Sequence, residues 1–270
     1  MTNELLQPAS EDYSCRLCGG KLDPAFELLV LDKYDVHYLK CARCDSLQTE
    51  RPYWMQEAYA SNLSILDTGA AQRNISNLAA TYSLSRFLRL NDVVDFGGGD
   101  GLLCRLLRDY GVNCYVNDKY ASATYARAFT TPNFSIPGIL LAFEVLEHFE
   151  QPRDELKALF QLTPHAILAS TEIYSGQGPD WWYFAPQTGQ HLFFYSEKAL
   201  RLIADSYNYT LLLCSGRFIF LRRGLADGAR RYFIRFLLQK HVLRVTSAAM
   251  RLLPTSGVSD DFNALRAGRK

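Results

Sequence analysis

Apolar positions along this chain follow two rhythms. Short unbroken runs at Val93-Val94, Cys114-Tyr115-Val116, Leu140-Leu141-Ala142-Phe143 and Ala166-Ile167-Leu168-Ala169 read as buried strands. Leu102-Leu103-Cys104-Arg105-Leu106-Leu107 reads instead as an amphipathic helix, and Ile75, Leu78, Ala79, Tyr82, Phe87 and Leu88 recur at helical spacing from about 71 to 90. Ser196 is placed to cap a further helix that leads to Ile203 and Tyr207. Thr210–Cys214 and Phe218–Arg222 are expected to close the chain's sheet as an antiparallel pair, whereas Phe26–Leu31 and Tyr38–Lys40 read as short ribbon strands. Strands alternating with helices place the chain in the α/β class.

Composition narrows the picture. With 270 residues, 48% of them hydrophobic, there is material for one ordinary domain and a small attachment. A net charge of +1 argues against a binder that relies on overall positive charge, so no nucleic-acid partner is expected. Met1-Thr2-Asn3-Glu4 lacks the basic and apolar regions of a signal peptide, and no apolar run reaches the roughly 18 residues of a membrane span. A cytoplasmic protein is expected, and its seven cysteines are then thiols or metal ligands rather than disulfides.

Four of those cysteines form two pairs, Cys15-x-x-Cys18 and Cys41-x-x-Cys44. Each pair sits on a turn-like stretch, and together they supply four thiolates for a tetrahedral structural Zn2+, which substitutes for a core in a segment too short to build one. A redox role would need only one pair and a thioredoxin-like setting that neither pair has. His37 is the alternative ligand nearby; Cys104, Cys114 and Cys214 read as small buried hydrophobes.

The stretch Asp95-Phe96-Gly97-Gly98-Gly99-Asp100-Gly101 follows one predicted strand and opens a helix. Glycines there let a ligand lie against the backbone, and the helix start offers free N–H groups. A dinucleotide dehydrogenase uses such a loop too, but the glycine or alanine its fingerprint requires would fall on Leu102 or Cys104. An acid followed by Gly-x-Gly-x-Gly resembles motif I of the class I S-adenosylmethionine (SAM) methyltransferases. The resemblance continues in Asp118 after the strand Cys114–Asn117, in Glu144-Val145-Leu146-Glu147-His148, and in His191-Leu192-Phe193-Phe194-Tyr195-Ser196, which is similar to a segment of one large bacterial branch.

That resemblance implies a Rossmann-like seven-stranded class I methyltransferase sheet preceded by a small N-terminal four-cysteine zinc ribbon. It implies SAM as cofactor, with Asp95, Gly97, Gly99, Gly101 and Glu144 against it and Asp118 on its ribose hydroxyls. Between Asp118 and Ile139 the chain offers only one helix and the brief Asn133–Pro137, so the family's third strand is expected to be very short or displaced. Ribbons of this kind occur in bacterial methyltransferases that modify sugars and surface glycans. The implied reaction is methyl transfer to a small-molecule or lipid-linked sugar acceptor, O-methylation being favoured and C-methylation of a nucleotide-linked keto sugar a close variant.

Glu144, Glu147 and His148 fall where the fourth strand ends, the edge at which open α/β sheets gather ligands. Three readings stand side by side. His148, with Glu147 and His191, removes the acceptor's proton or binds it; or Glu144, Glu147, His148 and His191 hold a second divalent metal, as in ubiquinone-pathway and small-RNA methyltransferases; or the group is structural. The aromatic segment Glu172–Tyr195, rich in Gly and Pro, reads as a substrate lid. Beyond it, Arg230, Arg231, Arg235, Lys240 and Arg244 interleave with Phe233, Phe236 and Leu243, a pattern that suits peripheral membrane contact through 226–253 as well as packing. The expected organisation is thus a zinc ribbon over 1–54, a linker and cleft-covering helix over 55–90, the SAM-dependent domain over 91–225 and a basic helical extension over 226–270. A non-catalytic scaffold and an NAD-dependent oxidoreductase are the competing functions, and nothing in the residues sets the oligomeric state.

Overall fold

A computed structural model describes residues 14–59 and 67–267; Met1-Thr2-Asn3-Glu4 and Asn62 lie outside the described residues. In chain order the strands are β1 (Leu22–Val30), β2 (Tyr34–Cys41), β3 (Leu47–Thr49), β4 (Asp92–Phe96), β5 (Asn113–Asn117), β6 (Ile139–Phe143), β7 (Ala166–Ser170), β8 (Phe193–Phe194), β9 (Tyr209–Cys214) and β10 (Arg217–Arg222). The helices are α1 (Met55–Ala58), α2 (Ala70–Leu88), α3 (Leu102–Asp109), α4 (Pro152–Gln161), α5 (Glu197–Ser206), α6 (Ala229–Leu237), α7 (Lys240–Met250) and α8 (Ser256–Ala267). The chain divides into two compact units, neither of which is one continuous stretch. Met1–Ser61, Leu146–Ala158 and Glu172–Ile203 form the first; Asn62–Val145, Leu159–Thr171 and Ala204–Lys270 form the second.

The first unit carries an antiparallel sheet in the order β1-β2-β3-β8. Its β1–β2 hairpin turns through Leu31 and Asp32, both at positive φ, which matches the turn to the right-handed twist of the strands. Along β2 the side chains of Val36 and Tyr38 are buried while Asp35 and His37 are not, the alternation a strand with one covered face requires. Val36, Tyr38, Leu47 and Trp54 meet Tyr183, Phe184 and Phe194 in one apolar cluster. The Trp54 indole also donates to the Gly189 carbonyl at 2.8 Å.

This corrects the lid reading of Glu172–Tyr195. Tyr174, Tyr183, Phe184, Phe193, Phe194 and Tyr195 are buried as the core of this small unit, and Trp182, 71% exposed, is the large aromatic that projects outward. A short unit with little aliphatic material must fill its interior with rings, each of which buries a large apolar area.

The second unit is built on a six-stranded sheet in the order β5-β4-β6-β7-β10-β9. The first four strands are parallel, and β10 runs antiparallel between β7 and β9, as expected for the terminal pair. Each parallel strand is buried along most of its length, which a sheet with both faces covered demands. Among the described residues there is no seventh strand and no helix between Asp118 and Ile139. Pro132 and Pro137 remove two donors from that stretch, and the edge of β5 receives a single bond there, from the Val116 N–H to the Phe129 carbonyl at 2.9 Å. The basic extension is not one helix: it breaks at Gln239, whose backbone is extended, into α6 and α7.

Candidate functional site

Three constellations carry chemistry. In the second unit, β4 delivers Asp95 to its C-terminal end and the chain turns through Gly97, Gly99 and Gly101, all at positive φ, into α3. Two of the glycines are enforced in different ways. A Cβ on Gly98 would stand 2.5 Å from Asp95 Oδ2 and 2.8 Å from Val116 Cγ2, so the backbone must pass bare over the acid. Gly99 has nothing within 4 Å of its Cβ position, and its φ of 56° favours glycine: the surface there is open.

Asp95 is buried, and its Oδ2 has no hydrogen-bond partner. Burial, with a lesser contribution from the Asp118 charge, pushes its carboxyl up to about 7. Asp118 is spent differently. Its Oδ2 accepts the Gly99 N–H at 2.9 Å and its Oδ1 those of Tyr120 and Ala121 at 2.8 and 2.7 Å, so three of about four acceptor sites already organise the loop. Next to it Val116, Asn117, Asp118, Ala121, Ala123 and Thr130 line a depression of about 130 Å³. Glu144, directly after β6, holds a left-handed φ of 52° that a non-glycine residue adopts only under external constraint. Here the constraint is Ser170: its hydroxyl donates to Glu144 Oε1 at 2.5 Å, and its carbonyl takes the Glu144 N–H at 3.1 Å.

In the first unit, Glu147, His148 and His191 bring their ligand atoms within 4.8 Å of one another. Glu147 is fully buried and its Oε1 accepts from the Tyr183 hydroxyl at 2.7 Å. His148 Nδ1 lies 3.0 Å from the Gln190 carbonyl, and His191 Nδ1 lies 2.6 Å from that of Tyr183. A carbonyl only accepts, so both rings carry a proton on Nδ1, and in the neutral imidazole the lone pair is then on Nε2. The rings stand edge to face with centroids 5.0 Å apart. Glu144, expected in this group, has its carboxylate on Ser170 instead.

The four cysteines also lie in the first unit, their sulfurs within 4.8 Å of one another, with Cys15–Cys44 at 3.7 Å and Cys18–Cys41 at 3.5 Å. Thiolates at about 2.3 Å from a tetrahedral zinc stand close to these separations. The two knuckles are built alike. Gly19 and Asp45, four residues past the first cysteine of each and both at positive φ, donate to its carbonyl, while that cysteine's own N–H reaches the next residue's carbonyl. The N–H groups of Arg43 and Cys44 point at Cys41 Sγ, each at 3.4 Å. Burial, with crowding by Cys44 and Cys41, holds the Cys18 thiol up at about 11 without a cation. The donor set and its bonds fit zinc. His37 is not needed as a ligand: its Nδ1 lies 3.0 Å from Glu27. Cys104 and Cys114 are buried apolar-side residues, as expected, and Cys214 is half-buried.

Sequence reasoning missed the residues that tie these groups down. Arg16, inside the first cysteine pair, donates through Nη2 to the carbonyls of Leu192 and Thr49 at 2.8 and 3.0 Å, and burial lowers its pKa to about 10. Its position inside the first cysteine pair was the only available signal. Tyr183 and Ser170 gave none, since each acts on a partner distant in sequence.

The sequence profile described as a methyltransferase domain matches residues 54–213, more than half of the chain, and the chain belongs to that family. It is a SAM-dependent methyltransferase, which sets aside hydride transfer. No curated protein matches it. Solved structures similar in fold include the methyltransferase domain of bacterial CtHen1-C, at 18% identity, with 55% of this chain and 98% of that one covered and a TM-score of 0.42. Magnesium protoporphyrin IX methyltransferase from Synechocystis PCC 6803 with bound SAH is 14% identical, with 64% and 97% covered and a TM-score of 0.44. The mitomycin 7-O-methyltransferase MmcR is 15% identical, with 64% and 61% covered and a TM-score of 0.45.

Proposed function

We propose that the enzyme methylates a hydroxyl of a sugar or glycan acceptor, with SAM as the methyl donor held at the glycine loop and His148 as the acceptor's base. The observation that carries this reading is the pair of imidazoles whose Nδ1–H groups are fixed on backbone carbonyls, the tautomer in which a neutral ring accepts a proton at Nε2. SAM supplies an electrophilic methyl group, so the protein's task is alignment and proton removal. Asp95, buried beneath the loop, orders it and the cofactor's ammonium end through the backbone, and of Gly97, Gly99 and Gly101, which shape the turn, Gly99 leaves the surface open to the cofactor. Asp118 keeps one acceptor site for a ribose hydroxyl, and the strained Glu144 stands at the end of β6. His148 is the base, Glu147 and His191 fix its surroundings, and exposed Trp182 is a face on which a sugar ring can stack. Cys15, Cys18, Cys41 and Cys44 hold a structural zinc.

Replacing His148 by Gln should lower turnover by about 10²- to 10⁴-fold with little change in SAM affinity. Unchanged turnover rejects the base assignment. Mass spectrometry of nucleotide sugars and lipid-linked glycans incubated with the enzyme and SAM should reveal an acceptor heavier by one CH₂; if only proteins or nucleic acids gain it, the sugar reading fails. A second reading is favoured by the closeness of Glu147, His148 and His191: one carboxylate and two imidazole nitrogens suit a divalent cation. In that case metal analysis finds a second ion per chain beside zinc, and a mild chelator that spares the cysteine site abolishes turnover; one ion and an indifferent turnover exclude it.

A further inference from the structure

Helix α8 is amphipathic the wrong way round for a helix that simply packs on its own domain. It docks by its polar side. Asp261 receives Arg108 through both carboxylate oxygens, at 2.8 and 2.6 Å, and Arg105 at 2.8 Å. Four residues earlier, on the same helix face, Gly257 is buried so tightly that a Cβ would run into the Arg108 carbonyl. The opposite stripe, Val258, Phe262 and Leu265, follows the i, i+4, i+7 spacing of one helical face and is 51%, 62% and 42% exposed. Leu252, in the turn before α8, is 88% exposed. Two of the aromatics on α6, Tyr232 and Phe236, are exposed as well.

The charge of this end of the chain is one-sided. Beyond Gly228 the sequence holds nine of the chain's 29 basic residues and two of its 28 acidic ones, so the near-neutral total conceals a cationic end and an acidic remainder. One of those two acids, Asp261, is already neutralised by α3. Arg230, Arg231, Arg235, Lys240, Arg244, Arg251 and Arg266 are exposed.

We infer that the α6–α8 end of the second unit is a docking surface for an anionic lipid bilayer, with the Leu252, Val258, Phe262 and Leu265 side chains entering the interface and the arginines facing the headgroups. Cations interleaved with exposed aliphatic and aromatic side chains match that boundary, which offers negative charge and hydrocarbon within a few ångströms. A nucleic acid would use the charges but leave the apolar stripe in water. A second copy of the chain would bring two cationic faces together. No helix among the described residues is long and apolar enough to cross a membrane, and the surface described is one that lies on it. The inference concerns where the enzyme sits and does not depend on which acceptor it methylates.

The test is sedimentation of the full-length protein with vesicles of phosphatidylcholine alone and with about one-third phosphatidylglycerol, for wild type, a Leu252→Asp/Phe262→Asp variant and an Arg230→Glu/Arg231→Glu variant. Wild type should bind the anionic vesicles at least about tenfold more tightly than the neutral ones, and each double variant should lose about tenfold or more while keeping wild-type SAM affinity and melting temperature. Equal binding to both vesicles, no binding to either, or binding unaffected by Leu252→Asp/Phe262→Asp overturns the inference. So does a wild-type dimer in solution that the same variant dissolves.

Discussion

Two buried carboxylates, Asp95 and Glu147, divide the chemistry of this protein between them. Asp95, under the bare backbone of Gly98, keeps an oxygen without a partner and an elevated pKa. Glu147, equally inaccessible, is engaged by the Tyr183 hydroxyl and sits among two histidines fixed by backbone carbonyls. An unsatisfied buried acid is costly unless a ligand completes it, whereas a hydrogen-bonded one serves its neighbours' orientation. What distinguishes the two places is the setting of each carboxylate: bare glycine backbone and Val116 over Asp95, a tyrosine hydroxyl and two imidazoles around Glu147.

The largest expected effect sharpens this division by striking one side of it. Replacing Cys41 by Ser should release zinc, worth about 10 kcal/mol in small zinc-folded domains, and disorganise the sheet whose β3–β8 pairing leads into His191. Turnover should vanish, while SAM binding at the glycine loop falls far less. A protein that contains no zinc as purified, and whose melting is unaffected by the substitution, contradicts the ribbon assignment.

Next come two substitutions of about 1–3 kcal/mol each. Tyr183→Phe removes the hydroxyl from a buried carboxylate and should cost that much in denaturant unfolding, with turnover reduced and SAM affinity kept. Gly98→Ala drives a methyl group against Asp95 and Val116 and should cost a similar amount with the opposite pattern, weakened SAM binding. If both variants impair the same step, the two acids are not separate in function.

The stretches that announced themselves in the sequence are those whose parts are adjacent in the chain. The glycine loop with Asp95, the paired cysteines, the capping Ser196 and the terminal strand pair are local patterns, and the structure bears each out as geometry. What escaped is non-local. The aromatics of 172–195 look the same in sequence whether they cover a ligand or fill a core, and only their burial decides. The first unit borrows two segments from beyond the glycine loop, one of them carrying its fourth strand, which no linear reading reveals. The expected seventh strand was overruled by prolines and turn residues after Asp118, and the same stretch put Asp118 to work on backbone N–H groups rather than leaving it wholly to a diol.

The smallest effect bears on the central claim, that Asp95 and its glycine loop receive the cofactor's cationic end. A carboxyl raised to about 7 in the free protein binds a proton that the unfolded chain would have released, so its contribution to stability falls as pH rises from about 4 to 7. An ammonium group held near the Asp95 carboxyl favours the ionised form, so SAM binding must expel that proton below about pH 7. Calorimetric titration of SAM at about pH 6 and pH 7.5 should show affinity rising up to about tenfold with pH and a proton released at the lower value, both absent in Asp95→Asn. Wild-type affinity that is flat across this range, or an Asp95→Asn variant that binds SAM as the wild type does at either pH, would contradict it.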